Sequence, residues 1–336
     1  MSESAPSRPT AFVTGGTGFI GSHLVEELKR RGYGEVRCLV RSRLRWLEGL
    51  DVVPVYAGMD DVGALREAIR GVDYVYHVAG VTRATDWETF EQANVAATLH
   101  LLDAVREASP GVRRVLVTSS LAAVGACPGG VADEATPLRP VTRYGRSKAE
   151  MERAVAAWQA QHPEVPVVVV RPPSVYGPRE ADIFTLIKTA SRGLFPTTGP
   201  ADVPYLSLVH GRDLVRGMVD AAASDATVGQ TYFVGSEAQY SWDDVRRAVA
   251  GALGRKALRV PVPGALVGAV GAAVEFAGRL VGQYPPLNRE KAREARVACK
   301  MCSVEKARRD FGYRQQIPLD EGMRETIAWY RAQGWL

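Results

Sequence analysis

Cysteine is scarce in this chain, and the few cysteines present do not form a complete metal-binding pattern. The 336 residues include Cys38, Cys127, Cys299 and Cys302. The last two form a C-x-x-C pair, but no second Cys or His pair lies near it, so no metal site is expected. Residues 1–9 lack the apolar core of a signal peptide and are expected to be a disordered leader. We therefore expect free thiols in a reducing cytoplasm, with Cys299 on one apolar face of a strand.

Strong charge imbalance and long apolar runs are also absent. The 42 Lys and Arg residues nearly balance 37 Asp and Glu residues, and no basic cluster is interleaved with aromatics, so nucleic-acid binding is not expected. The most apolar segment, residues 260–281, opens with Pro261 and Pro263 and is interrupted by Glu275 and Arg279. A spanning helix needs about 20 apolar residues. We expect a buried or lid helix here and no stable membrane insertion, while a membrane-surface contact stays open.

The stretch from Ala11 to Gly21 has the pattern of a strand, a glycine turn and a helix. The apolar run Ala11-Phe12-Val13 is followed by Thr14-Gly15-Gly16-Thr17-Gly18-Phe19-Ile20-Gly21, and apolar residues then recur at helical spacing. This arrangement points backbone N–H groups and a positive helix end at a phosphate. The glycines at 15, 18 and 21 are three apart, which departs from the usual dinucleotide spacing. Their position between a strand and a periodic helix nevertheless favours nucleotide binding.

Strand-type and helix-type segments alternate through the first half of the chain. Strands are predicted at 11–13, 36–40, 52–56, 74–78, 115–118 and 167–170, and helices at 62–69, 90–108 and 142–161. This alternation predicts an α/β fold, a Rossmann-like doubly wound parallel sheet with a smaller, mostly helical C-terminal substrate lobe. We assign residues 10–175 to a dinucleotide-binding domain, with 208–235 returning to it. Residues 176–207 and 236–336 are assigned to the lobe.

Tyr144 and Lys148 lie four residues apart in a predicted helix, so they share one face. A phenol has a reference pKa of about 10, and a neighbouring ammonium lowers it. Ser120, at the end of the fifth strand, could hydrogen-bond a substrate oxygen beside the Tyr144 hydroxyl. Together these three residues could act as a general acid that protonates a carbonyl as hydride arrives, or run the reverse reaction.

Further motifs accompany this triad. They are the glycine turn 14–21, Asn94, Tyr144-Gly145-Arg146-Ser147-Lys148, Arg171-Pro172-Pro173-Ser174-Val175-Tyr176-Gly177-Pro178-Arg179 and His210-Gly211-Arg212-Asp213-Leu214. With Ser120 they resemble the extended short-chain dehydrogenase/reductase family of the NAD-dependent epimerase/dehydratase type, close to the dihydroflavonol reductase and 3β-hydroxysteroid dehydrogenase branch. The resemblance extends from residue 10 nearly to the end of the chain.

The resemblance implies that Tyr144 is the acid/base, that Lys148 lowers its pKa and holds the nicotinamide ribose, and that Ser120 orients the substrate oxygen. Asn94 is expected to be a structural link. Cofactor contacts are expected from Gly15, Thr17, Gly18, Phe19, Ile20, Gly21, Gly58, Met59, Val78, Ala79, Gly80, Thr118, Ser119, Tyr144, Lys148, Pro172 and Val175. Substrate contacts are expected from Thr82, Arg83, Ser120 and Ser174. Gly58 stands where the family often has an Asp for the adenine amine, a contact that would fall to backbone around Met59 or to Asp60.

The residues after the second strand bear on the choice between NADPH and NADH. An acidic residue there would bind a free ribose 2′-hydroxyl. This chain instead has Arg41-Ser42-Arg43 and then Arg45. Because arginine matches phosphate with a bidentate fork, we predict NADP(H), with Arg41 as the main contact and Ser42 beside it. NAD(H) remains the alternative. In that case the arginines after the second strand only form an exposed basic turn and bind no phosphate.

Several reactions are compatible with the family. Nucleotide-sugar dehydratases carry an Asp-Glu pair after the Ser or Thr of the fifth strand, where this chain has Leu121-Ala122. Sugar epimerases often have Asn where Ser174 stands. An NAD(P)H-dependent reductase of a ketone or aldehyde, or the reverse alcohol oxidation, is therefore the main prediction. The substrate is expected to be small and lipophilic. A nucleotide-sugar epimerase and a non-catalytic cofactor-binding regulatory protein are the alternatives.

The resemblance also implies a homodimer formed through the helices near 90–108 and 142–161. Ala96, Ala97, Ala104, Ala149, Val155 and Ala156 are the residues that fit a second apolar face on these helices. Together with the missing signal peptide, this gives the expectation of a cytoplasmic enzyme that acts on a small molecule.

Overall fold

A seven-stranded parallel sheet forms the centre of the molecule. The computed structural model describes residues 8–127, 130–197, 205–262 and 297–336. The strands of this sheet are β1 (Ala11–Thr14), β2 (Val36–Val40), β3 (Val53–Tyr56), β4 (Tyr74–His77), β5 (Arg114–Thr118), β7 (Val167–Arg171) and β12 (Thr231–Phe233). Their spatial order is β12-β7-β5-β4-β1-β2-β3. The strand order reverses between β1 and β4, which is where ligands bind in folds of this class.

Helices cover both faces of the sheet, as the alternating pattern predicted. They are α1 (Phe19–Arg30), α2 (Val62–Ile69), α3 (Trp87–Phe90), α4 (Ala97–Ala108), α5 (Arg143–Gln161) and α7 (Gly211–Ala223). Leu24 of α1 and Met218 of α7 belong to the core on one face, and Leu101 of α4 and Met151 of α5 belong to the core on the other. Strands β1, β5 and β7 are buried along their whole length. Because helices cover both faces of the sheet there, the sequences of these strands are mostly apolar rather than alternating.

The remaining elements form a second layer beyond the carboxyl ends of the strands. Its helices are α6 (Asp182–Ala190), α8 (Trp242–Leu253) and α10 (Leu319–Ala332). Helix α9 (Glu305–Phe311) instead packs against α7 and β12, where Phe311 contacts the Tyr232 ring. Its short strands are β6 (Val131–Ala132), β8 (Ser174–Tyr176), β9 (Leu194–Thr197), β10 (Tyr205–Leu206), β11 (Leu208–His210), β13 (Tyr240–Ser241), β14 (Leu258–Pro261) and β15 (Met301–Cys302). A separate core of Ile187, Val249, Met323 and Ile327 joins α6, α8 and α10. The domain boundaries assigned from the sequence remain a prediction.

The cysteines depart from the sequence-based expectation. Cys127 and Cys299 are joined by a disulfide across 172 residues of chain, so the prediction of four free thiols is wrong. Cys299 lies before β15 rather than within a strand, and its N–H donates to the Gly125 carbonyl. Periodicity could not reveal this pairing, because the two cysteines are brought together by the packing of the chain segment around β15 against the one around β6.

Two other expectations involve long helices. No helix among the described residues is long and apolar enough to cross a bilayer, and residues 263–281 of the apolar segment lie outside the described part.

Four of the residues expected on a second apolar face are buried in the core of the protomer itself. These are Ala97, Ala104, Ala149 and Val155. The dimer remains a prediction, and these four residues do not support it.

Candidate functional site

The glycine turn between β1 and α1 is packed too closely for side chains at two of its positions. Gly15 has a φ of +73°, and a Cβ there would come within 2.6 Å of the Ala79 nitrogen. A Cβ on Gly21 would collide with the Gly15 carbonyl oxygen. Helix α1 begins after Gly18 without any side-chain cap on its first turn. The positive end of α1 is therefore open at the point where the strand order reverses.

A cleft of about 1170 Å³ runs along the carboxyl ends of the strands past this helix end. One side is formed by the glycine turn, and the other by the segment after β4 together with the start of α6. Among the residues expected to contact cofactor or substrate, the lining includes Gly15, Thr17, Gly18, Phe19, Ile20, Gly21, Arg41, Gly58, Met59, Val78, Ala79, Gly80, Thr82 and Arg83. The cleft thus brings together residues from four separate strand ends.

The shape of this cleft fits a dinucleotide. Its length leads from the turn after β2, past an uncapped helix end, to Gly80. A Cβ on Gly80 would lie 2.9 Å from Asn94 Oδ1 and 3.5 Å from Lys148 Nζ, so the absent side chain leaves the ammonium close to the cleft wall. The glycine turn and α1 would hold a pyrophosphate, and Lys148 would reach a ribose.

The three residues predicted for acid–base chemistry come from neighbouring elements. Thr142 caps α5 by accepting the Gly145 N–H at 3.0 Å, and a Cβ on Gly145 would collide with the Ala122 carbonyl. This contact packs the start of α5, with Tyr144, against the short turn that follows Ser120. The Ser120 hydroxyl accepts the Ala122 N–H at 3.1 Å. Both Tyr144 and Ser120 remain partly exposed.

Lys148 is buried behind Tyr144 on the same helix. Its Nζ donates to the Thr118 carbonyl at 2.8 Å. Burial lowers the pKa of Lys148 to about 8, and the nearby Glu152 carboxylate opposes that shift. Because the pKa stays above neutrality, the ammonium is charged at pH 7 and loses its proton as the pH rises past about 8.

A buried ion pair beneath this triad was missed by the sequence reasoning. Arg171 Nε donates to Glu152 Oε1 at 2.9 Å, Arg171 Nη2 donates to Oε2 at 2.5 Å, and the Ser119 hydroxyl donates to the same carboxylate. Ser119 is therefore fixed directly before Ser120, and its side chain points away from the cleft lining. The local signal was a glutamate one helical turn after Lys148, whereas its partner on β7 is 19 residues distant.

Asn94 links the cleft wall to α5. It lies in a π-helical turn, Glu91–Ala96, between α3 and α4. Its amide accepts from the Val81 N–H at 2.8 Å, donates to the Val81 carbonyl at 2.9 Å and donates to the Ser147 hydroxyl at 2.9 Å. The side chain fixes the segment after β4 to α5, as a structural link would.

His77 is also structural. It lies between the Thr14 hydroxyl at 2.7 Å and the Thr98 hydroxyl at 2.9 Å, and burial lowers its pKa to about 3. The ring is neutral at physiological pH and ties the end of β4 to β1 and α4.

The basic turn after β2 contributes two arginines to the cleft. Arg41 and Arg45 both line it, whereas Ser42 and Arg43 do not. Arg45 was not among the predicted contacts, and its φ of +53° is a left-handed conformation that residues other than glycine rarely adopt. The Asp60 carboxylate lies close to Gly58 Cα, in the space that a Gly58 side chain would fill.

The predicted substrate contacts are distributed over both sides of the cleft. Arg83 forms an ion pair with Asp182 at the start of α6, which joins the two sides of the opening. Thr82 lines the same region, while Ser174 is exposed on β8. Several predicted contacts lie behind or beside the cleft lining rather than in it. These are Ser42, Thr118, Ser119, Ser120, Tyr144, Lys148, Pro172, Ser174 and Val175.

Comparison with known proteins agrees with this geometry. Residues 11–235 match the model of the NAD-dependent epimerase/dehydratase family. A ceramide reductase from Caulobacter vibrioides is 29% identical, covering 98% of this chain and 97% of the relative. A 4-hydroxy-2-methyl-3-oxo-4-farnesyl-3,4-dihydroquinoline-1-oxide ketoreductase from Stigmatella aurantiaca is 30% identical over 93% and 94% of the two chains. The crystal structure of gox2253 superposes with a TM-score of 0.79 at 28% identity, covering 97% of this chain and 99% of that one.

Proposed function

Because the chain belongs to the NAD-dependent epimerase/dehydratase family, it is an NAD(P)-dependent oxidoreductase, and we propose that it uses NADPH to reduce the carbonyl of a lipophilic substrate. The observation that carries this proposal is the position of the Lys148 ammonium. It lies 3.5 Å from where a Gly80 Cβ would be, at the cleft wall, and one helical turn from Tyr144. Leu121 and Ala122 follow Ser120, so this segment offers no second acid or base for an elimination.

Tyr144, Ser120 and Lys148 have separate roles in the proposed reduction. A nicotinamide held in the cleft would supply the hydride. Tyr144 donates its phenolic proton to the carbonyl oxygen as negative charge develops there, and Ser120 donates a hydrogen bond to the same oxygen. Lys148 stabilises the phenolate that remains, and the Thr118 carbonyl holds that ammonium in place.

A preference for NADPH is supported by the two arginines in the cleft. Arg41 and Arg45 lie in the turn after β2 where a 2′-phosphate would be placed, and neither forms an ion pair with another described residue. Hydrogen bonds to charged groups contribute about 1.5–3 kcal/mol each. We expect Arg41→Ser/Arg45→Ser to raise the Kd for NADPH about 100-fold, and the Kd for NADH less than about threefold.

The matched control for this measurement is Arg43→Ser, which removes a neighbouring exposed cation outside the cleft lining. It should leave both dissociation constants within about twofold of the parent values, since screened surface charges contribute little. Tighter binding of NADH than NADPH by the parent protein, measured by fluorescence titration, would overturn the proposed preference.

The charges at the opening support an uncharged substrate. Asp86, Glu88 and Asp182 line this part of the cleft, and Arg83 is already paired with Asp182. The nucleoside diphosphate of a nucleotide sugar entering here would face these carboxylates. Their negative charge disfavours the nucleotide-sugar epimerase alternative. The ceramide reductase and the farnesylated quinoline ketoreductase among the relatives support a lipophilic ketone as the substrate class.

The reaction type can be tested with purified protein. A reductase consumes one NADPH for each lipophilic ketone that it converts to an alcohol. The absorbance of the reduced nicotinamide measures the cofactor consumed, and chromatography measures the alcohol formed. An epimerase would instead interconvert nucleotide sugars with no net loss of reduced cofactor. A cofactor-binding regulatory protein would bind NADPH and turn over neither class, and either of these results would replace the proposal.

A further inference from the structure

A cluster of cations lies on the substrate lobe, away from the cleft. Its four members surround a depression of about 440 Å³ where the C-terminal ends of α6, α8 and α10 converge. They are Lys188, Arg192, Arg255 and Arg331. Within the described residues none of the four forms an ion pair with a carboxylate side chain, although ion pairs are common elsewhere in the lobe. Among its side chains, the depression therefore carries an excess of positive charge.

Helix ends explain only part of this cluster. The negative end of a helix attracts cations. Arg331 accordingly donates to the Leu253 carbonyl at the end of α8 at 3.0 Å, and Arg255 donates to the Ser191 carbonyl just beyond α6. Lys188 and Arg192 have exposed side chains that form no hydrogen bond to a backbone carbonyl in the described part of the chain, and Lys188 Nζ lies 5.4 Å from the centroid of the Phe184 ring. These two cations are available to an external partner.

Apolar side chains adjoin the cations. Leu194 and Leu258 lie directly opposite each other on β9 and β14 and are 48% and 69% exposed. Arg192 and Arg255 lie a few residues before these leucines in the sequence, and Trp335 contributes to the wall of the depression. A paired set of exposed leucines beside cations and an indole is typical of surfaces that bind at a membrane interface.

We propose that this face, defined by Lys188, Arg192, Arg255 and Arg331 with Leu194 and Leu258, docks the enzyme on an anionic lipid bilayer. Charge complementarity attracts the cations to anionic headgroups, and the two leucines enter the boundary with the acyl chains. Helix α6 begins at the cleft opening with Asp182 and ends at this face. Its nine residues rise roughly 13 Å, so docking brings the opening close to the bilayer surface.

Sedimentation with vesicles tests the docking without cofactor or substrate, so its result is independent of the proposed reaction. We expect at least about tenfold stronger binding to vesicles of phosphatidylcholine with phosphatidylglycerol than to phosphatidylcholine alone, and loss of that binding in high salt. Lys188→Glu/Arg192→Glu should abolish it. Arg70→Glu/Arg308→Glu makes the same charge change on other exposed faces and should keep it.

Leu194→Ser/Leu258→Ser separates insertion from simple charge attraction. This variant should still prefer anionic vesicles but bind them several-fold more weakly, because the buried apolar area is lost. Thermal unfolding of every variant checks the fold. Equal binding by both charge-reversed variants would overturn the proposal. The proposal would also be overturned if the protein did not bind vesicles but bound inorganic phosphate or an acidic peptide through Lys188 and Arg192. That result would assign these cations to a soluble anion instead.

Discussion

Tyr144→Phe is expected to lower kcat by about a thousandfold while leaving the Kd for NADPH within about twofold. The substitution removes only the hydroxyl, so the ring still packs at the start of α5, and Lys148 keeps its bond to the Thr118 carbonyl. The carbonyl substrate then has no proton donor as hydride arrives. Single-turnover measurements of cofactor oxidation report the chemical step, and fluorescence titration reports cofactor binding.

Tyr205→Phe is the matched control for this prediction. Tyr205 is 43% exposed on β10, and it is not among the residues that line the cleft. Its variant should turn over at the parent rate. Should Tyr144→Phe retain most of the parent activity, the assignment of Tyr144 as the acid is wrong. A loss of cofactor binding equal to the loss of rate would instead indicate that the hydroxyl mainly holds the cofactor.

Gly21→Ala is expected to weaken cofactor binding about tenfold to a hundredfold and to lower the melting temperature. A Cβ at this position collides with the Gly15 carbonyl oxygen, which is backbone and cannot rotate away. Either α1 or the turn must therefore move, and overpacking of this kind costs about 1–3 kcal/mol. The displaced groups are those whose N–H dipoles would face the pyrophosphate, so binding and stability should fall together.

Gly251→Ala makes the same chemical change where nothing lies within 4 Å of the added methyl. Because Gly251 is inside α8, alanine should raise stability by up to about 1 kcal/mol and leave cofactor binding unchanged. Calorimetric titration with NADPH and thermal denaturation measure both quantities. Unchanged binding by Gly21→Ala would show that the turn does not cradle the cofactor.

The sequence predicted those parts of the fold whose signals are local. Strands that are buried along their whole length read as continuous apolar runs, and the glycine turn at 14–21 could be placed between a strand and a helix. Helical spacing placed Tyr144 and Lys148 one turn apart on the same helix, and the position of Ser120 at the end of the fifth strand suggested a shared site. The observed strands of the sheet lie within a few residues of the predicted bounds for the same reason. The helix predicted at 90–108 is an exception, because a π-helical turn at Glu91–Ala96 separates α3 from α4, which begins only at Ala97.

Features that join distant segments escaped the sequence reasoning. The ion pair between Arg83 and Asp182 spans 99 residues, and the disulfide spans 172. No periodicity links such positions, since only the finished packing brings them together. Arg45 was missed for another reason, because the sequence gives no signal for a left-handed backbone conformation at an arginine in a basic turn.

The order of the central sheet has a consequence for biosynthesis. Strand β12 pairs with β7, yet it follows β7 in the chain only after α6, α7 and several short strands. A nascent chain that has emerged from the ribosome only as far as β8 therefore presents β7 as an unpaired sheet edge. Completion of the central sheet must therefore wait until residues 231–233 have been translated, after α6 and the short strands β8 to β11, although α8 and α10 follow later still.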